Sequence, residues 1–257
     1  MTRRSFVMLA LIVLAAAALA LVPSAAFAQT SAPSAAVNPN MSLNVNGVGT
    51  VSAPLQIVVL MTLLTFVPAA LVMMTSFTRI AIVFHFLRQA LGTQELPSNQ
   101  MLTGLTLFLT VFIMAPTATR INEAAVKPVM SGQIDMTEAF TRAEPPLREF
   151  MLKQTREADL ALFVDLAKIP RPKTPADIPM SAVIPAFAIS ELKTGFQMGF
   201  FLFVPFLLID LVVSTTLVSM GMMQLPPAMI SLPFKILLFV MIDGWNLIVS
   251  SIVRSFL

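Results

Sequence analysis

The chain has no cysteine, no tyrosine and a single histidine, and it carries little charge for its length. Without cysteine there are neither disulfides nor thiolate metal sites. His85 alone cannot build a multi-histidine metal centre, and it reads as a packing or interfacial residue. The lack of tyrosine removes phenolic acid–base chemistry. Charged residues make up 11% of the 257 positions, where a soluble domain carries about 25%. Because 57% of the residues are hydrophobic, this is an integral membrane protein or part of a strongly apolar assembly. Internal repeats are absent, as is the two-residue alternation of half-buried strands, so the fold class is all-α. A basic face is missing too. The formal charge is +3, but Arg120 to Asp177, the one conventionally polar region, holds nine basic and nine acidic residues. Nucleic-acid binding is therefore not expected.

What is present divides the chain into five parts. Residues 1–28 read as a secretory signal: Arg3 and Arg4, an apolar run from Phe6 to Val22, and Ala26-Phe27-Ala28 as a small-x-small cleavage site. Cleavage is expected after Ala28; the alternative is an uncleaved first membrane helix. Residues 29–53 are uncharged and rich in Ala, Ser, Asn, Pro and Gly, as a flexible linker would be. Residues 54–119 form an apolar helical hairpin. Its first arm, Leu55–Thr78, is long enough to cross a bilayer and ends at Arg79, from which Ile80–Leu91 continues as an amphipathic helix. Gly92 and Pro97 mark the turn. The second arm, Met101–Thr119, is expected to be interrupted near Pro116. Residues 120–179 form a small polar helical region, with a helix over Pro146–Lys168 and a proline-rich exit at Ile169–Pro175. Residues 180–257 are a second apolar hairpin, with Pro185 and Pro205 as expected breaks. Hydropathy suggests four spans, with Arg79 and Arg88 in a cytoplasmic loop and the polar region on the periplasmic side.

The functional candidates lie in that last part. Asp210 stands within a long apolar run, where an ionisable group is costly and marks function by default. Met220-Gly221-Met222-Met223 forms a methionine-rich turn closed by Pro226-Pro227. Counting from its midpoint places Asp210 and Lys235 each about 19 Å back along antiparallel helices, at 1.5 Å per residue. Two opposite charges at equal depth can neutralise each other, within one hairpin or across a subunit boundary; otherwise they are unrelated snorkelling charges. Glu191 is a candidate member of that network, the alternative being an interfacial helix end. Lys193, two residues on, faces elsewhere. Gly195 and Gly199 make a small-xxx-small pattern that permits close helix approach. Thioethers at a turn suit a soft constriction, although methionine also simply fills gaps. No nucleophile–base pair, phosphate-cradling loop or metal motif is present. No catalytic residue, metal or cofactor is assigned, and no enzyme activity is expected.

Pro185-Ala186-Phe187-Ala188-Ile189-Ser190-Glu191-Leu192-Lys193-Thr194-Gly195-Phe196-Gln197-Met198-Gly199-Phe200 resembles the signature of the FliP family of flagellar biosynthetic proteins. Pro205–Val213, Met220–Pro227, Thr75–Ile80 and Gln94–Pro97 look like further family blocks, so the likeness spans about residues 54–257. The resemblance implies a pore-forming subunit of the type III export gate in the bacterial inner membrane, at the flagellar basal body. It implies self-association, as a homopentamer, and assembly with FliQ and FliR, with FlhB and FlhA as further partners and unfolded flagellar subunits as substrate. Relatives in virulence type III secretion offer an alternative setting. A conventional channel or transporter is a weaker alternative, since paired repeats and several midplane charges would be expected there. By position, Met220, Met222 and Met223 match the family's gasket loop. Many relatives carry another methionine where this chain has Gln224, which leaves the gasket partly polar. Asp210, Lys235 and Glu191 match charged positions expected to serve intersubunit packing. The resemblance also implies that the apolar hairpins are buried largely against other subunits, raised toward the periplasmic side.

Overall fold

The structure is a computed structural model. It describes residues 73–93, 97–168, 174, 177–222 and 224–257, with scattered positions between 58 and 72. The expected signal, the linker, Gln94-Glu95-Leu96, Ile169–Lys173 and Met223 lie outside the described residues, as do ten of the 24 positions of Leu55–Thr78. The chain divides into two compact units, Met1–Val72 and Met73–Leu257. In the first, Thr62 and Thr65 donate their hydroxyls to the carbonyls of Val58 and Met61, four residues back, as in apolar helices.

The second unit consists of helices α1 (Phe77–Leu91), α2 (Asn99–Ile121), α3 (Lys127–Met130), α4 (Met136–Gln154), α5 (Glu157–Leu166), α6 (Met180–Ser219), α7 (Pro227–Met241) and α8 (Gly244–Arg254). Among the described residues there is helix and turn but no strand. Local chemistry sets several ends. Gly92 closes α1 in the left-handed region at φ 70°, where glycine has no Cβ penalty. The Ser98 side chain caps α2 by accepting from Met101 N–H. Asp135 caps α4 by accepting from Glu138 N–H at 2.7 Å.

Prolines behave differently from the expectation. α2 runs unbroken through Pro116, and α6 is one helix of 40 residues despite Pro185 and Pro205. Apolar helices tolerate proline where neighbours and local adjustment absorb the lost hydrogen bond. Just before Pro128, α2 instead widens into a π-turn over Asn122–Val126, with Lys127 N–H reaching Asn122 O. That geometry makes room for a ring that would clash with the carbonyl four residues back. The expected helix over Pro146–Lys168 is also corrected. It begins ten residues earlier, holds both Pro145 and Pro146 inside α4, and breaks at Thr155-Arg156 before α5.

Two helices, Asn99–Met130 and Met180–Ser219, are long and apolar enough to cross a membrane, and α7 with α8 forms a third candidate bent by 64°. One core joins α1 to the later helices: Ile80, Val83, Phe84 and Leu87 meet Leu102, Leu109, Phe206, Phe239, Ile252 and Phe256. A second core ties the polar region to the start of α6 through Met151, Val164, Ile178, Val183 and Phe187.

Candidate functional site

The site is built on α6, whose two halves differ in what they touch. In the first half, Ala182, Val183, Ala186, Phe187, Ser190, Glu191, Gly195 and Gly199 are buried; beyond it only Phe206 and Leu217 are. α1 lies along that first half. Arg79 meets Glu191, Ile82 meets Gly195, and Phe86 meets Gly199. Contacts advance together along both helices, so α1 and α6 run parallel.

The two glycines set this approach. A Cβ built at Gly195 would sit 3.2 Å from Cβ of Ile82. At Gly199 it would lie 2.9 Å from Cβ of Phe86 and closer still to the ring. Since the Phe86 Cβ itself is in the way, rotating the ring cannot clear the clash. Phe86 also meets Phe196 edge-on, with ring centroids 5.6 Å apart.

Arg79 is the hub of the buried half. It is 2% exposed, not in a solvent loop as the four-span reading placed it. Its Nε donates to Glu191 Oε2 at 3.0 Å, and one Nη donates to the other carboxylate oxygen. The remaining N–H groups reach Ser255 O at 3.0 Å, Ser255 Oγ at 2.9 Å and Gln154 Oε1 at 3.1 Å. All five guanidinium donors are thereby engaged. The guanidinium carbon lies 3.9 Å from the ring centroid of Phe256, a cation–π contact. One side chain thus joins α1, α4, α6 and the end of α8. Ser190 adds a tie to the polar region: its hydroxyl donates to Asp159 Oδ2 at 2.8 Å and accepts from Arg156 N–H at 3.0 Å.

Asp210 and Lys235 come together in one hairpin. Lys235 Nζ donates to Asp210 Oδ2 at 2.6 Å, and Ser231 Oγ donates to Oδ1 at 2.6 Å. Ser231 and Lys235 are four apart on α7, so both reach the same carboxylate. That spacing was readable in the sequence, and Ser231 was missed. Lys235 also lies near the end of α1, its Nζ 3.8 Å from a Cβ built at Gly92. The negative end of the helix dipole favours a cation there. Burial is uneven: the Lys235 side chain is 6% exposed and that of Asp210 37%.

Glu191 does not join this pair within the chain. Nineteen residues of helix separate it from Asp210, about 28 Å at 1.5 Å per residue. The expected network divides into two: Glu191 with Arg79, and Asp210 with Ser231 and Lys235. Arg79 carried a signal in the sequence, a lone cation at the edge of an apolar run, but its partner lies 112 positions away. Met220 and Met222 are exposed at the hairpin tip, beside Gly221 at φ 75°. His85 is exposed, with the Gln89 amide 3.1 Å from its Nε2. Among the described residues no group of His, Cys, Asp and Glu could hold a metal ion.

Long apolar helices, charges paired inside them and a frame of helix and turn among the described residues define a membrane-associated helical protein. The FliP family model matches residues 60–252. The chain is 56% identical to the flagellar biosynthetic protein FliP of Bacillus subtilis (strain 168) over 206 residues, which is 80% of this chain and 93% of that one. It is 51% identical to FliP of Caulobacter vibrioides over 244 residues, 95% of this chain and 89% of that one. With FliP of Pectobacterium carotovorum it shares 56% over 211 residues, 82% of each chain. The chain belongs to the FliP family, and is a component of flagellar biosynthesis and export.

Proposed function

We propose that the chain is the pore-forming subunit of the flagellar type III export gate in the inner membrane. On this reading several copies, five by family resemblance, assemble with FliQ and FliR, with FlhB and FlhA nearby, and unfolded flagellar subunits pass between them. Met220, Met222 and Met223 form a gasket that deforms around the passing chain. The role is structural and passive, so energy comes from other components.

One observation carries the reading. Beyond Gly199 the α6–α7 hairpin is almost wholly apolar, yet it is exposed along most of its length, from Phe200 and Phe201 to Met229 and Val240. Apolar surface of this extent needs lipid or neighbouring subunits to cover it. A methionine-bearing tip on such a hairpin suits a closure, because thioethers are flexible and adapt to irregular shapes. The half-exposed Asp210 carboxylate leaves lone pairs free to accept a donor from an adjacent subunit. The similar proteins named above are flagellar, which favours the flagellar setting over virulence secretion.

The test is permeability. With Met220, Met222 and Met223 all changed to Ala, cells should leak small solutes while the protein level holds. Unchanged permeability would sink the gasket. Assembly is tested separately, by native mass measurement in mild detergent with and without FliQ and FliR. A stable monomer under every condition would overturn the pore reading.

A further inference from the structure

We infer that the methionine-tipped hairpin, residues 206–241, is a hinged rigid body that swings about a base formed by Pro205 and the Ile242–Gly244 break.

Both arms of the hairpin are weakened, and at the same level. In α6, Pro205 has no N–H to donate to the carbonyl four residues back, and its ring crowds that carbonyl. Across from it, α7 ends at Met241, capped by Ile242, and α8 leaves at 64°. Asp243 between them sits in the left-handed region at φ 50° and ψ 55°, which breaks the helix and which Asp enters more readily than most residues with a Cβ. The level is given by the ring pair Phe206–Phe239, with centroids 6.5 Å apart. One discontinuity adjoins Phe206 and the other begins three residues past Phe239.

Phe239 is the pivot. It is 5% exposed and packs edge-on against Trp245 at 5.4 Å between centroids. Its ring lies directly on Gly244, where a Cβ would come within 2.8 Å of Cζ and closer to the ring edge.

On either side of the base the molecule is stiffer. Below it, α6 and α8 are locked to α1 by the Arg79 hub. Above it, Asp210 holds both Ser231 and Lys235. Those two flank Pro233, the proline inside α7, so the carboxylate splints that weak point in the hairpin. A segment splinted above, weakened at its base by Pro205 in one arm and bent at Ile242–Gly244 in the other, and anchored below can move as a unit.

The hinge is tested by distances alone, so it stands or falls apart from the gasket. The chain has no cysteine, so introduced cysteines take spin labels without background. In the full chain in lipid nanodiscs, one pair, Leu207 with Met229, lies within the hairpin; another, Ile189 with Met229, joins hairpin to body. The hairpin-to-body distance distribution should be clearly wider than the one within the hairpin. Pro205→Ala, a change that favours helix, should narrow it to match. Three results overturn the hinge: equal narrow widths in the unaltered chain, equal broad widths, or no narrowing in Pro205→Ala. Leakage through the triple methionine variant together with a narrow hairpin-to-body distribution would keep the gasket and reject the hinge.

Discussion

The two halves of α6 belong to one continuous helix and have opposite fates. From Met180 to Gly199 the helix is held by α1, by the polar region and by the Arg79 hub. From Phe200 to Ser219 most of its surface faces outward. The second half is the more hydrophobic, with 14 apolar residues in 20 against 11 in 20 for the first, so hydrophobicity alone would have buried the wrong half. The difference comes from small and polar residues: Ser190, Glu191, Gly195 and Gly199 occur in the first half and give it partners. In the second half Asp210 alone does so, and its partners come from α7 rather than from the body. The first half is the fold's keel, and the second is a surface awaiting cover.

If that contrast holds, changes in the first half unfold the protein and changes in the second alter what it does. The largest effect is expected at the hub. Arg79→Ala or Glu191→Ala leaves the other charge buried without its partner and should cost about 3–5 kcal/mol, measured by thermal unfolding in detergent. Replacing both by Met should recover part of the loss, because the stranded charge is then gone. Equal stability of the single and double variants would remove the hub from the comparison. Next comes Gly199→Ala, which forces Phe86 and α1 away from α6, at about 1–3 kcal/mol; an unchanged melting temperature would show that the glycine contact is slack.

In the second half the effects should be smaller and lopsided. Asp210→Asn strands the buried Lys235 ammonium and should cost about 2 kcal/mol, below a fully buried pair because Asp210 is partly open to solvent. Lys235→Met leaves a carboxylate that Ser231 and solvent still satisfy, and should cost less. The reverse order would mean that Asp210 is the more deeply covered partner in the assembled protein. Met220, Met222 and Met223 to Ala should change stability by under about 0.5 kcal/mol, as exposed residues do, while raising permeability. Loss of folding there would place the turn in the keel instead.

The smallest effect is electrostatic. The Arg120 guanidinium hydrogen-bonds Glu149 and holds its carboxyl below the usual glutamate range, helped by the charges of Arg120 and Lys153. A depressed folded pKa contributes stability above the unfolded pKa and loses it as pH falls through the folded one. Both side chains are exposed, so the contribution is slight. Melting curves of the unaltered chain and Glu149→Gln should differ only at neutral pH and converge in acid. A difference that grows on acidification would contradict this pairing.

Much of the second half was legible beforehand, because its logic is local. Asp210, the turn and Lys235 lie on one short antiparallel connection, so counting residues at a fixed rise places the charges level. Ser231 follows from the same helical spacing. The first half resisted because its contacts join distant positions. Arg79 and Glu191 carry no local mark of each other, and Arg79 at the edge of an apolar run reads as a loop residue until α1 is seen beside α6. The prolines misled for a related reason. Local propensity predicts breaks at Pro116, Pro185 and Pro205, but long apolar helices packed on neighbours outweigh one lost hydrogen bond each. Where the chain does bend, at Ile242-Asp243, no proline marks it.

Residues alone determined that this chain is helical and apolar, that it does no metal or thiol chemistry at cysteine, and that its methionine turn heads a hairpin with an internal charge pair. Those properties depend on composition and short-range periodicity, which a chain carries wherever it folds. Only the tertiary structure decided which half of α6 is core and which is surface. That choice depends on where glycine lets another helix approach and where a buried guanidinium finds five acceptors, and both are set by residues 75 or more positions apart.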